Sequence, residues 1–331
     1  MLYPIPDVVI ALIVLALTFG FLNGFHDSSS IVATMISSRA MSPRYALLIT
    51  AIAEAIGPFL FGVAVARTIV GCIVAENAAT MPLILAALLG AIVWGIVTWL
   101  FGIPSSSSQA LIGGLIGATL TGFGLDALKL AGLGKIMLAL FISPLLGLLV
   151  GHMLMKLVFV LASGATPRIN SFLKRGQILT ALTLALVHSA NDAQKTMGII
   201  TLGLVATGVL PSFAVPIWVI ALSAGALALG TLCGGSRLIR TVGRKFFTIR
   251  PVHGFTTHIS STTVILSAAL VGAPISTTQV VASSILGVGS AERLKKVRWG
   301  AVYRIGIAWV LTIPMSALLA AAMYVIVGAV L

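Results

Sequence analysis

Charge is scarce in this 331-residue chain: Asp, Glu, Lys and Arg make up 8% of it, against roughly 25% in an ordinary soluble domain. So few charged side chains cannot cover the surface of a water-soluble globule, and 59% hydrophobic residues exclude disorder. Acids are the rarest of all, seven against 20 Lys and Arg. Cysteine is nearly absent. Cys72 and Cys233 lack metal-ligand spacing and read as small apolar residues. There is no alternating apolar pattern of the kind an outer-membrane barrel needs. No basic stretch precedes the first apolar run and no A-x-A site follows it, so no cleaved leader is expected. Nucleotide-binding glycine loops and nucleophile–base pairs are also missing, so an enzyme is not expected. What remains is an all-α polytopic membrane protein.

What is present fits that class. Apolar segments fall at 7–38, 45–66, 80–101, 104–122, 135–160, 177–208, 212–232, 255–271, 274–290 and 299–329. The first and sixth carry polar interruptions at 24–27 and 188–192 and are expected to be broken helices. Basic residues gather in four connections: Arg39 and Arg44; Arg168, Lys174 and Arg175; Arg237 to Arg250; and Arg293 to Arg298. Ten alternating crossings put all four on one face. The positive-inside rule then places both termini outside a cell membrane. The net charge of +13 thus reflects cytoplasmic loops and not a nucleic-acid partner. The short 255–271 segment, with the tips Gly102-Ile103-Pro104 and Gly272-Ala273-Pro274, favours re-entrant helical hairpins over pairs of full crossings.

Two patterns occur twice. Phe25-His26-Asp27-Ser28-Ser29 is echoed by Ala190-Asn191-Asp192-Ala193-Gln194, and Gly102-Ile103-Pro104 followed by Ser105 to Ser108 and Gln109 by Gly272-Ala273-Pro274-Ile275 followed by Ser276, Thr277, Thr278 and Gln279. Equal order and near-equal spacing argue for a duplication, with repeats at 1–160 and 177–331 joined by a cytoplasmic linker at 161–176. Five segments per half is an odd number, so the second copy enters from the opposite side. Such inverted-topology repeats build many secondary transporters, with the site between the repeats near the midplane.

Asp27, Glu54 and Asp192 lie inside predicted spans. A carboxylate at that depth costs at least about 2.5–3.5 kcal/mol on insertion scales, so it is partnered, protonated or holding a cation. Asp27 and Asp192, with Asn23 and Asn191 beside them, read as the cation-coupling residues for Na⁺ or H⁺, and Asp27 and Asp192 as the ligands of Na⁺. Lys195, three residues beyond Asp192, could instead neutralise it. His26, Glu54 and His188 are accessory candidates. The hydroxyl runs suit a different ligand. Each would open a helix, where free N–H groups and the positive dipole end bind oxyanions. Ser105, Ser106, Ser107, Ser108, Gln109, Gln194, Ser276, Thr277, Thr278 and Gln279 are therefore the anion-binding candidates. His152, His253 and His258 lack motif context and read as structural.

These motifs resemble those of the inorganic phosphate transporter (PiT) family: Asn23 to Asp27 the first signature, His188 to Lys195 the second, and Pro104 to Ser108 and Pro274 to Thr278 the paired hydroxyl motifs. Gln109 and Gln279 stand where family members often carry His. The resemblance implies cation-coupled symport of inorganic phosphate by a homodimer in the lipid bilayer, with no cofactor besides the coupling ion. Sulfate uptake on the same fold is the nearest alternative. A passive anion channel is the next, and it would not need the paired acids.

Overall fold

The computed structural model describes residues 7–73, 75, 78–103, 105–164, 166, 168–234, 249–293 and 298–330. Among them the regular structure is helical throughout: α1 (Asp7–Ser37), α2 (Pro43–Leu60), α3 (Ala64–Ile73), α4 (Met81–Leu100), α5 (Ser107–Phe123), α6 (Leu130–Leu161), α7 (Ile169–Ala206), α8 (Ile217–Cys233), α9 (Pro251–Leu270), α10 (Thr277–Glu292) and α11 (Trp299–Val330). Proline opens several of them. Pro43, Pro82 and Pro251 occupy first-turn positions, where the missing N–H costs nothing. Ser106 and Ser276 cap α5 and α10 by accepting hydrogen bonds from the backbone N–H of Gln109 and Gln279, satisfying a donor the helix leaves free.

α1, α4, α6 and residues 302–330 are long and apolar enough to cross a bilayer. α7 falls short on composition because it is the central helix. Every residue from Val187 to Leu204 is buried by its neighbours, so its polar side chains never meet lipid. α6 and α11 do the opposite. They expose Leu145, Leu149 and Met153, and Val310, Leu318 and Val325, as the outer helices of a membrane protein should.

The packing repeats itself. α1 lies on α8 as α7 lies on α2, and α6 lies on α10 as α11 lies on α5. A centre of α1, α2, α7 and α8 is thus flanked by two lobes, one of α4, α5 and α11, the other of α6, α9 and α10. Small residues allow the closest approaches, as in other membrane helix pairs. A Cβ on Gly24 would lie 2.0 Å from the Leu227 carbonyl oxygen, and one on Gly230 would lie 2.0 Å from that of Phe21. Gly24→Ala is therefore expected to push α1 off α8. Overpacking of this kind costs about 1–3 kcal/mol or more, and the thermal unfolding midpoint in detergent should drop clearly. Gly225→Ala, with open space around it, serves as the control and should leave that midpoint in place.

Two expectations need correction. α1 and α7 are unbroken through 24–27 and 188–192; these segments contain no proline, and Gly24 serves close packing instead of unwinding, so no freed carbonyls are available there as ligands. Segment 45–66 splits into α2 and α3, because Pro58 loosens the end of α2 and Gly62, at φ 73°, turns the chain. α7 begins at Ile169, so the second half of 161–176 is helical. Pro104, Arg237, Arg240, Arg244, Lys245, Lys295 and Lys296 lie outside the described residues, as does the Cys72 side chain. Cys233 is a free, exposed thiol at the end of an apolar helix.

Candidate functional site

The two acidic motifs and the second hydroxyl motif converge at the centre of the molecule. Asp27 on α1 and Asp192 on α7 are buried and face each other across the start of α10. Thr278 Oγ1 donates to Asp27 Oδ1 at 2.5 Å. Its neighbour Thr277 donates to Asp192, 3.0 Å from Oδ1 and 3.1 Å from Oδ2. Successive residues of one helix start therefore address the equivalent acids of both halves. Asn23, one turn before Asp27, donates from Nδ2 to Asp192 Oδ2 at 3.2 Å.

A second layer lies behind the pair. His188 Nε2 is 3.6 Å from Asp27 Oδ2 and 3.6 Å from Asp192 Oδ2, while its Nδ1 is 3.2 Å from Glu54 Oε1. Thr231 on α8 donates to the other Glu54 oxygen and lies 3.2 Å from the Gly24 carbonyl. Glu54 is thus wired to the central acids through one imidazole. Thr231 carries no sequence signal that could have nominated it, since a single threonine in an apolar helix usually bonds its own carbonyls. Asp27, His188 and Asp192 each offer an atom within 4.8 Å of the others. With the two threonine hydroxyls, the carboxylates make a set of hard oxygen donors suited to a small cation.

Lys195 connects this cluster to the first hydroxyl motif. Its Nζ sits 3.0 Å from Asp192 Oδ1, 2.9 Å from Ser107 Oγ and 3.0 Å from Ser108 Oγ. Ser108 in turn donates to the Ile275 carbonyl at 2.7 Å, so the starts of α5 and α10 meet. Both helices direct their amino-terminal N–H groups toward the centre. Ser105 bonds Thr98 at 2.8 Å.

Several buried polar atoms here have no partner among the described residues: both amide ends of Gln109 and of Asn191, Nε2 of Gln279, Oδ1 of Asn23 and Nε2 of His26. Leaving such groups dry costs about 1–3 kcal/mol each, so they mark positions where a polar ligand would be held. A cavity of about 20 Å³ touches Asn23, His26, Asp27, Ser105 and Ser107. It has room for roughly one water or a small ion. Gln194 is set apart from the site. Its Oε1 accepts from Val65 and Ala66 N–H at 2.8 and 3.1 Å, and its Nε2 donates to the Ala190 carbonyl at 2.6 Å. Both ends of its amide are thus spent on the start of α3 and on α7, which the sequence pattern alone could not reveal.

An all-helical, multi-span bundle with paired acids and converging helix starts at its centre has the architecture of a membrane transporter. The chain belongs to the phosphate transporter family, whose model matches residues 23–168 and again 160–320. It is 40% identical over 324 residues to a "probable low-affinity inorganic phosphate transporter" of Bacillus subtilis, covering 96% of this chain and 97% of the relative. It is 42% identical over 317 residues to one of the same description from Rhizobium meliloti, covering 95% of each. A solved structure described as "the sodium-dependent phosphate transporter" superposes with a TM-score of 0.88 at 26% identity, covering 98% of this chain and 100% of that one. The two separate family matches agree with the repeat seen in the packing.

Proposed function

We propose that this protein carries inorganic phosphate across the cell membrane together with a cation, Na⁺ by preference over H⁺. The observation that carries the reading is the Thr277–Thr278 pair. One helix start bonds both acids, so whatever occupies the anion site at that start is coupled to whatever neutralises Asp27 and Asp192. Charge gives the reason for coupling. Lys195, together with a protonated His188, offsets at most two of the three carboxylates Asp27, Glu54 and Asp192, so with all three ionised the pocket already holds surplus negative charge. A phosphate entering such a dry site is unfavourable unless cations enter with it. The hard oxygen set and the likeness to a sodium-dependent transporter favour Na⁺.

Unpartnered acceptors favour phosphate over sulfate. Asn23 Oδ1 and Gln109 Oε1 can each accept the proton of monoprotonated phosphate, which sulfate lacks at neutral pH. Ser105, Ser107, Ser108, Gln109 and Gln279 then surround the anion, and Asp27 and Asp192, with Asn23 beside them, surround the cation. Asn191 keeps a place in the cation set as a buried, unpaired amide.

α5 and α10, at 17 and 16 residues, are about 25 Å long against a hydrocarbon core of about 30 Å. This supports re-entrant hairpins α4–α5 and α9–α10 inserted from opposite sides, and the basic connections favour both chain termini outside. A homodimer is the assembly implied by the family resemblance.

Proteoliposomes with an inward Na⁺ gradient are expected to accumulate radiolabelled phosphate. Replacing Na⁺ by choline should cut uptake at least about tenfold, and excess sulfate should not compete. Accumulation of sulfate that phosphate fails to inhibit would overturn the substrate. Full uptake in choline that rises with an imposed proton gradient would assign H⁺ instead.

A further inference from the structure

We infer that α9 is the element that moves to let phosphate leave toward the basic-loop face, and that Gln177 and His258 form the seam holding it shut. This rests on the transport reading above. The seam joins three helices between the central acids and that face. His258 Nε2 lies 2.5 Å from Thr34 Oγ1 on α1, and its Nδ1 lies 3.4 Å from Thr180 Oγ1 on α7. One turn closer to the loops, Ser38 donates to Gln177 Oε1 at 2.8 Å. Gln177 lies against Gly254, where a Cβ would be 2.0 Å from its Nε2. Thr34, Gln177 and His258 are fully buried.

The repeat supplies the comparison. Aligning Asp27 with Asp192 and Gln109 with Gln279 sets Gln177 against Leu12, His258 against Leu88, Gly254 against Ile84 and Thr34 against Ile199. The equivalent seam at the opposite end is thus made of leucine and isoleucine, all within one apolar core. Even the local geometry corresponds: Leu12 packs onto Gly203, the counterpart of Ser38. Opening the leucine seam exposes apolar surface to water, which is unfavourable in proportion to area. Opening the polar seam exposes groups that water can satisfy. Gln177 Nε2 in the seam, and Ser261 Oγ and Thr262 Oγ1 one turn further along α9, have no partner among the described residues while the seam is shut. The two ends of the path therefore differ in what it takes to hydrate them.

The outer flank of α9 differs in the same sense. In the first lobe a Cβ on Gly90 of α4 would lie 2.7 Å from Ala320 of α11, so α4 is packed without slack. The equivalent flank, between α9 and α6, is an open apolar groove of about 450 Å³ lined by residues such as Ser143, Leu146, Val150, Val264 and Ala268. Val150 is the counterpart of Ala320. α9 has room to lean toward α6 where α4 has none toward α11. At its foot, Arg250 and His253 both pair with Glu292 of α10, at 2.5 and 3.2 Å. The foot therefore stays with its own lobe as it parts from α1 and α7.

The test makes the polar seam resemble its apolar counterpart. The double variant Gln177→Leu/His258→Leu is expected to bind Na⁺ and phosphate in detergent with affinity within threefold of wild type, yet to turn over at least tenfold more slowly in proteoliposomes with little change in KM. Turnover within twofold of wild type overturns the inference. So does a loss of binding in proportion to transport, which would make the pair part of the site. Wild-type uptake in the same preparation tests the transport reading separately. A second measurement covers a variant that fails to fold. In a background lacking Cys72 and Cys233, Ser261→Cys is expected to react with a membrane-impermeant maleimide from the basic-loop side at least tenfold faster than Leu88→Cys reacts from the opposite side. Equal or reversed rates overturn the assignment.

Discussion

Asp27→Asn and Asp192→Asn are each expected to abolish Na⁺-driven phosphate accumulation while leaving the protein folded. Asn keeps the shape of the side chain and still offers an oxygen to Thr278 or Thr277, so the bonds at the start of α10 survive. What disappears is the charge. Removing one partner of a buried ion pair costs about 3–5 kcal/mol. Taken as lost cation affinity, even the lower figure is more than about a hundredfold. Initial uptake at submillimolar Na⁺ should fall by a comparable factor, and only part should return at high Na⁺. The two variants will not be equivalent. Asp27 takes a hydrogen bond from Thr278 and lies 3.6 Å from His188, whereas Asp192 also holds Lys195 and Asn23. Asp192→Asn should therefore lower the thermal unfolding midpoint more than Asp27→Asn. Accumulation above half of the wild-type level in either variant would remove that acid from the coupling site. Intact downhill flux in both would leave a passive anion channel.

How far these conclusions could be read from the sequence depends on the kind of signal. Asp27 and Asp192 stand out because an acid at lipid depth is costly and because they repeat in register with Gln109 and Gln279. Periodic or repeated features of that sort survive without coordinates. The unbroken courses of α1 and α7 did not show in advance. A Gly-Phe-His-Asp interruption looks like a helix break until Gly24 is seen pressed against the Leu227 carbonyl. The split between α2 and α3 was present as Pro58 and Gly62, but an apolar run masks a turn whose free N–H groups are capped by Gln194 from another helix. Gln194 itself belongs to a motif by position and to the scaffold by contact. Glu54 could be singled out as an intramembrane acid, yet its tie to His188 and Thr231 joins residues 134 and 177 positions away. His258 gives no motif at all. Its environment becomes informative only once the repeat pairs it with Leu88.

Lys195→Met is expected to separate two roles that the sequence leaves tangled. If Lys195 only neutralises Asp192, removing it leaves an uncompensated buried carboxylate, and stability falls by about 3–5 kcal/mol. Neutralising that carboxylate as well, in Lys195→Met/Asp192→Asn, should then restore stability and every property that depended on balance alone. The geometry argues for more. Nζ is as close to Ser107 and Ser108 as to Asp192, so the ammonium stands at the start of α5, where an oxyanion is drawn by the helix end. Methionine keeps the length and apolar stem of lysine and removes only that charge. The double variant is therefore expected to recover most of the lost thermal stability but to bind phosphate at least about tenfold more weakly than Asp192→Asn alone, by equilibrium binding at saturating Na⁺, the loss of one charge-assisted contact of about 1.5–3 kcal/mol. Single and double variants measured together form a cycle in which stability and anion affinity need not move in step. Phosphate binding in the double variant equal to that of Asp192→Asn alone would reduce Lys195 to a counter-ion for Asp192. Recovered stability with binding weaker than in Asp192→Asn alone would place it at the anion, bridging the acid of one repeat to the hydroxyl motif of the other.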